Sequence, residues 1–314
     1  MEGLSLDTTR ALRCAVRETR SHEDIVLLPL LLGLLAGSGN STGTFTELGA
    51  YDGQSGSQSW VLEKCFGWSG VLIEASPTNF AMLNNTQRSQ QTTKVFSAVC
   101  SERGTVDVIS SGGTVAGVGS DMAKAYKQRH SRTHTRGCVN KCITSVPCMP
   151  LPELISNAGF SQGRVNFLSL DVEGGEERVL QTVVKDMKSP DDFPFDVVLV
   201  EADGYDPQKD ERVRAMLRAA RMRPLPLEKF TGSRNELWAK ARVADLRPPL
   251  NQKAHAAASA ELRRRWVKPA IRSMNPSPWL ADQMNMSSLL ITMRLMASMP
   301  IAFAQLKRNH DPVS

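Results

Sequence analysis

The sequence predicts an α/β protein built on a doubly wound, largely parallel sheet, and three observations carry that reading. Short apolar segments alternate with helical patterns through the middle of the chain. The apolar segments are non-polar nearly throughout, as strands covered on both faces must be. Strand, helix and strand in repetition imply parallel pairing, because a parallel partner is reached only through a crossover connection.

Residues 1–43 form an N-terminal extension of mixed charge that ends in the apolar run Ile25 to Ala36. That run contains Pro29 and Gly33 and is short against the roughly 20 apolar residues a membrane span needs. The residues ahead of it carry no net positive charge, which a signal peptide would require. A buried helix ahead of the first strand is the expectation.

Residues 44–240 form the main domain. Its strands read as TFTEL (44–48), GVLIE (70–74), KVFSAV (94–99), VNFLSLDV (165–172) and FDVVLVE (195–201). Each is short and rich in β-branched or aromatic residues. Helices are expected at Ser57 to Phe66, Thr78 to Gln87, Pro152 to Ala158, Glu176 to Val184 and Asp210 to Ala220. Residues 241–314 form a basic, Met-rich tail expected to be helical.

The charge is uneven. The chain of 314 residues has a pI near 9.1, but lysine plus arginine and aspartate plus glutamate number 27 and 28 over residues 1–240, against 11 and 4 over 241–314. The main domain is thus neutral overall, and the basicity gives it no case for a nucleic-acid partner.

Ligands of such sheets bind beyond the carboxyl ends of the strands. Strand one ends at Glu47, Leu48 and Gly49, strand two at Glu74, the fourth at Asp171 and Glu173, the fifth at Glu201. The turn after strand one, Gly49-Ala50-Tyr51-Asp52-Gly53, lets backbone approach a ligand closely where the glycines lack Cβ. Asp52 and Ser57 offer side-chain oxygens to a polar head group, and Glu74 is placed to accept hydrogen bonds from ribose hydroxyls. A nucleoside-containing cofactor follows. The turn lacks the G-x-G-x-x-G of a dinucleotide site, and Asp52 would repel a pyrophosphate. S-adenosylmethionine, cationic at its amino group and free of phosphate, suits it.

The segments FTELGAYDGQSGSQSWVLEKCFGWSGVLIEASPTNFAML, VPCMPLPELI and VNFLSLDVEGGEERVL together resemble the FkbM-type methyltransferases, over roughly Phe45 to Lys240. The resemblance implies a class I, Rossmann-like domain whose seven-stranded sheet has its last strand antiparallel, closing in a hairpin that turns at Gly232 to Asn235. It also implies an S-adenosylmethionine-dependent enzyme, with Glu47, Gly49, Ala50, Asp52, Gly53 and Ser57 around the cofactor. Glu74 would take the ribose, and Ser97 to Val99, centred on Ala98, would lie beside the adenine. Members commonly methylate hydroxyls of sugars and related metabolites, so a small-molecule or glycan acceptor and O-methylation are expected. The rival reading is a non-catalytic binding or scaffolding protein on the same fold; a dinucleotide oxidoreductase is opposed by the missing third glycine and by Asp52.

Transfer to a hydroxyl needs alignment and a place for one proton. Asp171, Glu173 and Glu201 are the candidate catalytic residues. If the strand alternation continues, Asp171 and Glu173 face the same way; alternatively one of them caps the helix starting near Gly174. The trio would also suit a hard divalent cation, but no metal ligand is assigned.

His130, His134, Cys138, Cys142 and Cys148 crowd the insertion between the third and fourth strands. Free thiols are the first expectation, with a disulfide among the three cysteines and a zinc site as alternatives. Sequons at Asn40, Asn84 and Asn285 matter only in a secretory route. Localisation is left open, with the cytoplasm slightly favoured over the secretory pathway. The tail combines apolar residues with Arg294, Pro300 and basic ends, which suits a helix packed on the domain or a peripheral membrane contact. Oligomeric state is unassigned.

Overall fold

A computed structural model describes residues 42–110, 114–129, 143–160, 164–225 and 234–244, with ten helical positions between Ala11 and Leu34. The last four residues of that range, Ala241–Ala244, form a short helix; the remainder of the expected tail, and His130, His134, Cys138 and Cys142, lie outside the described residues.

The main sheet has seven strands. In chain order they are β1 (Thr44–Leu48), β2 (Ser69–Glu74), β3 (Thr93–Phe96), β8 (Val165–Leu170), β9 (Phe195–Glu201), β10 (Met222–Leu225) and β11 (Asn235–Lys240). Their order across the sheet is β10-β11-β9-β8-β1-β2-β3. β1, β2, β3, β8 and β9 run parallel, while β11 runs antiparallel to both β9 and β10. The expected seven-stranded sheet with an antiparallel last strand is present; the tip of its final hairpin lies outside the described residues.

The helices follow from local signals. α1 (Trp60–Phe66) ends at Gly67, which takes a left-handed conformation, φ 68°, that favours glycine. α2 (Pro77–Asn85) starts from Ser76, whose hydroxyl accepts from Asn79 N with Pro77 in the first turn. α6 (Pro207–Ala219) starts earlier than expected because the Asp206 carboxylate accepts from Gln208 N and Lys209 N. α4 (Leu151–Asn157) and α5 (Glu176–Val184) lie close to their expected ranges, and α5 buries Val179, Leu180 and Val183 at helical spacing.

Both faces of the sheet are covered. Leu27, Leu28, Leu31 and Leu34 of the N-terminal apolar run pack with Phe45, Trp60, Trp68 and Leu237 on one face. On the other, Leu48, Leu154, Leu180, Phe193, Leu217 and Trp238 belong to a second core.

Two expectations need correction. The run KVFSAV is not one strand: β3 stops at Phe96, and Ala98–Val99 form β4 in a different sheet. β4, β5 (Gly104–Ile109), β6 (Gly117–Val118) and β7 (Ile143–Met149) form a four-stranded sheet in the order β4-β7-β5-β6, with α3 (Lys124–Arg129) between β6 and β7. Finally, Cys148 is neither a free thiol nor a zinc ligand. It is disulfide-bonded to Cys100, outside the cysteine cluster, because β7 pairs with β4 and carries Cys148 to the residue that follows β4. A second disulfide joins Cys14 to Cys65 in α1.

Candidate active site

The chain leaves β1 in one direction and β8 in the other, so a crevice opens at their carboxyl ends. A small cleft there is lined by Glu47, Gly49, Gln58, Asp171, Glu201 and Asn235 among others.

The turn after β1 is held from three sides. Gly49 has φ 75°, and a Cβ on it would lie 1.8 Å from the carbonyl oxygen of Asp171, so only glycine fits. Gly49 N and Ala50 N both donate to Ile73 O, fixing the turn to β2. Asp52 curls back, its Oδ1 accepting from Gln54 N at 2.8 Å and Ser55 N at 2.6 Å. That is an Asx turn: the carboxylate shapes its own loop. At Gly53, with φ 73°, an added Cβ would meet Leu83 Cδ1 at 2.5 Å.

Glu47 is buried and occupied by the next turn. Its carboxylate accepts from Ser57 Oγ and Gln58 N, each at 2.9 Å, from Ser59 N at 3.3 Å and from the Ser59 hydroxyl. This is why α1 begins at Trp60 and not at Ser57: the backbone of residues 57–59 is drawn onto Glu47.

Arg88, in a stretch that reads as polar loop, is the residue the sequence analysis missed here. It donates to Gly53 O, Ser57 Oγ, Ser59 Oγ and the Glu63 carboxylate from a fully buried position.

Glu74 ends β2 beside this turn. Its two oxygens accept from Tyr51 N at 2.8 Å and Ser76 N at 2.7 Å. Burial pushes its carboxyl up to about 7, against the lowering effect of those hydrogen bonds. Ser97 N donates to Glu74 O at 3.2 Å, which sets Ala98 and the start of the small sheet next to the same strand end.

The predicted cofactor residues therefore divide. Gly49, Ala50, Gly53 and Glu74 form the turn and the adjoining strand end. Glu47, Asp52 and Ser57 are spent largely on one another and on backbone, and they shape that turn. Ala98 belongs to β4, buried and paired opposite Cys148, next to the end of β2.

Asp171, Glu173 and Glu201 do come together, each placing a carboxylate oxygen within 4.8 Å of the others. Strand alternation is not the cause. β8 ends at Leu170, and Glu173 sits at φ 58°, a left-handed conformation that swings it out of strand register. Neither residue caps α5. That end is tied by Glu176, which accepts from Val172 N and Gly174 N, both at 3.1 Å, and pairs with Lys209 at 2.9 Å.

Burial, then the nearby Asp171 charge, pushes the Glu173 carboxyl up to about 8, although a hydrogen bond from Tyr126 opposes the rise. Glu201 is pushed up strongly by burial and by Asp171 and Glu173. Carboxylates this close cannot all ionise cheaply, so the group retains protons into the neutral range. It can take up or give a proton there, and carboxylate oxygens at this spacing could also hold a hard cation.

Tyr126 comes from α3 in the insertion. Its phenol donates to Glu173, and its ring meets Tyr205 edge-on at 5.3 Å between centroids. Nothing in its local sequence marks this role; only the fold of the insertion brings it here.

A sequence profile described as "Methyltransferase FkbM domain" matches residues 47–224. Among solved structures the chain is similar to methyltransferase FkbM from Methylobacillus flagellatus KT, at 13% identity and a TM-score of 0.38, over 63% of this chain and 44% of that one. It is also similar to a Methanococcus jannaschii fibrillarin pre-rRNA processing protein, at 11% identity and a TM-score of 0.31, over 64% of this chain and 66% of that one. The chain thus spans less than half the length of the Methylobacillus protein. No curated protein matches the chain.

Proposed function

The chain belongs to the methyltransferase FkbM domain family, and on that premise we propose that it methylates a hydroxyl of a sugar or other small metabolite using S-adenosylmethionine. The observation that carries the reading is the abutment of two half-sites: the Gly49 turn rests directly on the Asp171 carbonyl, so the turn and the acidic trio share one wall.

The residues fit the cofactor. Gly49, lacking a Cβ, lets the turn seat against the Asp171 carbonyl beside the cleft, and Glu74, held by two backbone N–H groups, retains lone pairs for the ribose hydroxyls. When bound, S-adenosylmethionine supplies an electrophilic methyl group on a sulfonium centre. The chain's own work is then positional and protolytic. Asp171, the most exposed of the trio, orients the acceptor hydroxyl and receives its proton as the oxygen becomes acidic. Glu173 and Glu201 keep that proton within the pocket.

Mass spectrometry of small molecules that copurify with the protein tests the proposal, with calorimetry against S-adenosylmethionine, S-adenosylhomocysteine and NAD. Binding of the first two but not the third is expected. Binding of NAD alone would overturn the reading.

A further inference from the structure

Four cysteines from separate stretches of the chain meet in two pairs, Cys14 with Cys65 and Cys100 with Cys148. The second pair closes the root of the insertion. Cys100 directly follows β4, and its N–H donates to Met149 O at 3.3 Å. Cys148 lies in β7 opposite Ala98 of β4 and Gly104 of β5.

The far side of that loop leans on the acidic trio. Tyr126 donates to Glu173, Asp121 pairs with Arg178 of α5, and a Cβ on Gly117 would lie 3.0 Å from the Glu173 Cβ. Yet the apolar core beneath the small sheet is slight. Its buried residues are Ala98, Cys100, Val108, Val146 and Cys148, so the cystine supplies two of the five. Small elements with so little core rely on cross-links.

We infer that Cys100–Cys148 is a covalent clasp that holds the insertion against the acidic pocket, and that the chain works in an oxidising compartment where the clasp persists. In a reducing cytosol both pairs would stand as thiols. Each bond forms as two thiols join sulfur to sulfur, releasing two protons and passing two electrons to a disulfide oxidant, such as a disulfide-donating oxidoreductase or oxidised glutathione. The Cys14–Cys65 pair, which ties the N-terminal segment to α1, independently asks for the same surroundings. Only the role of the acidic pocket rests on the methyltransferase reading; the clasp and the compartment do not.

The full chain, taken from its native cells under acid quench with immediate alkylation, should give Cys14–Cys65 and Cys100–Cys148 linked peptides without reduction. Alkylated Cys100 and Cys148 would overturn the compartment. Hydrogen exchange of the purified full chain then tests the clasp, comparing it with a Cys100→Ser, Cys148→Ser variant that keeps Cys14–Cys65. We expect exchange at least tenfold faster in residues 104–109 and 117–129, with β1, β8 and β9 still protected. Unchanged exchange there, or lost protection throughout the chain, would overturn a local clasp. Neither measurement uses S-adenosylmethionine, so failure of the methyltransferase reading would appear separately, as absent cofactor binding.

Discussion

Arg88 and Glu63 form an ion pair inside the protein, Nε to Oε2 at 3.0 Å, with side-chain exposures of 0% and 3%. Glu63 also accepts from Ser89 N and Thr92 Oγ1, so the pair ties α1 to the segment entering β3 while Arg88 grips the turn at Gly53. Breaking one side of such a pair strands a buried charge. Arg88→Met should cost about 3–5 kcal/mol in urea unfolding, and adding Glu63→Gln should recover part of it. A loss within about 0.5 kcal/mol would show that the pair is not structural.

Glu74→Ala should weaken S-adenosylmethionine binding about tenfold or more, since hydrogen bonds to a charged group contribute about 1.5–3 kcal/mol each. The charged form is the acceptor, and burial holds this carboxyl up to about 7. Affinity in the wild type should therefore fall as pH drops from 8 to 6, and Glu74→Gln should flatten that part of the profile. Calorimetry across the range decides it; parallel profiles in the two proteins would remove Glu74 from the site.

Asp171→Asn keeps the size of the side chain and removes its basicity. Turnover should drop by about tenfold to ten-thousandfold, with S-adenosylmethionine affinity held within a few-fold. Labelled methyl transfer to an acceptor found by screening, alongside calorimetry, separates the two effects. Equal losses in both would make Asp171 a cofactor ligand.

Folding raises the carboxyls of Glu173 and Glu201 above the ordinary value of 4.5, so between the two values the folded chain keeps protons that the unfolded chain has released. Stability from these groups is full below that ordinary value and is lost as pH rises, through about 8 for Glu173. The melting temperature should fall from pH 6 to pH 9, and Glu201→Gln should flatten the decline. A wild-type melting temperature that rises over this range would contradict the account. If the trio holds a divalent cation, added magnesium or calcium should restore the melting temperature at pH 9 in the wild type but not in Glu173→Gln.

The parallel strands were legible because burial on both faces leaves an unbroken apolar run, as in FDVVLVE. The small sheet was not. β5 and β7 are half exposed, their apolar positions are sparse, and β7 carries Pro147, so the signal there is weak. The place of Gly49 in the turn could be read from its residue type, and that of Glu74 from the end of an apolar strand. Arg88, Tyr126 and the Cys100–Cys148 bond act across 25 to 48 residues of chain, and no local pattern encodes which distant partner such a side chain will meet.

The family profile matches residues 47–224, a range that leaves out one strand of the sheet and part of its cover. β11 lies beyond that match yet sits inside the sheet, between β9 and β10. The N-terminal leucines that cover Phe45 and Trp60 lie before it. A fragment trimmed to the matched boundaries would open the sheet between two strands and strip part of the cover from one face. Such a piece should aggregate, whereas one running from residue 11 to residue 244 keeps every described contact of the barrier between sheet and solvent.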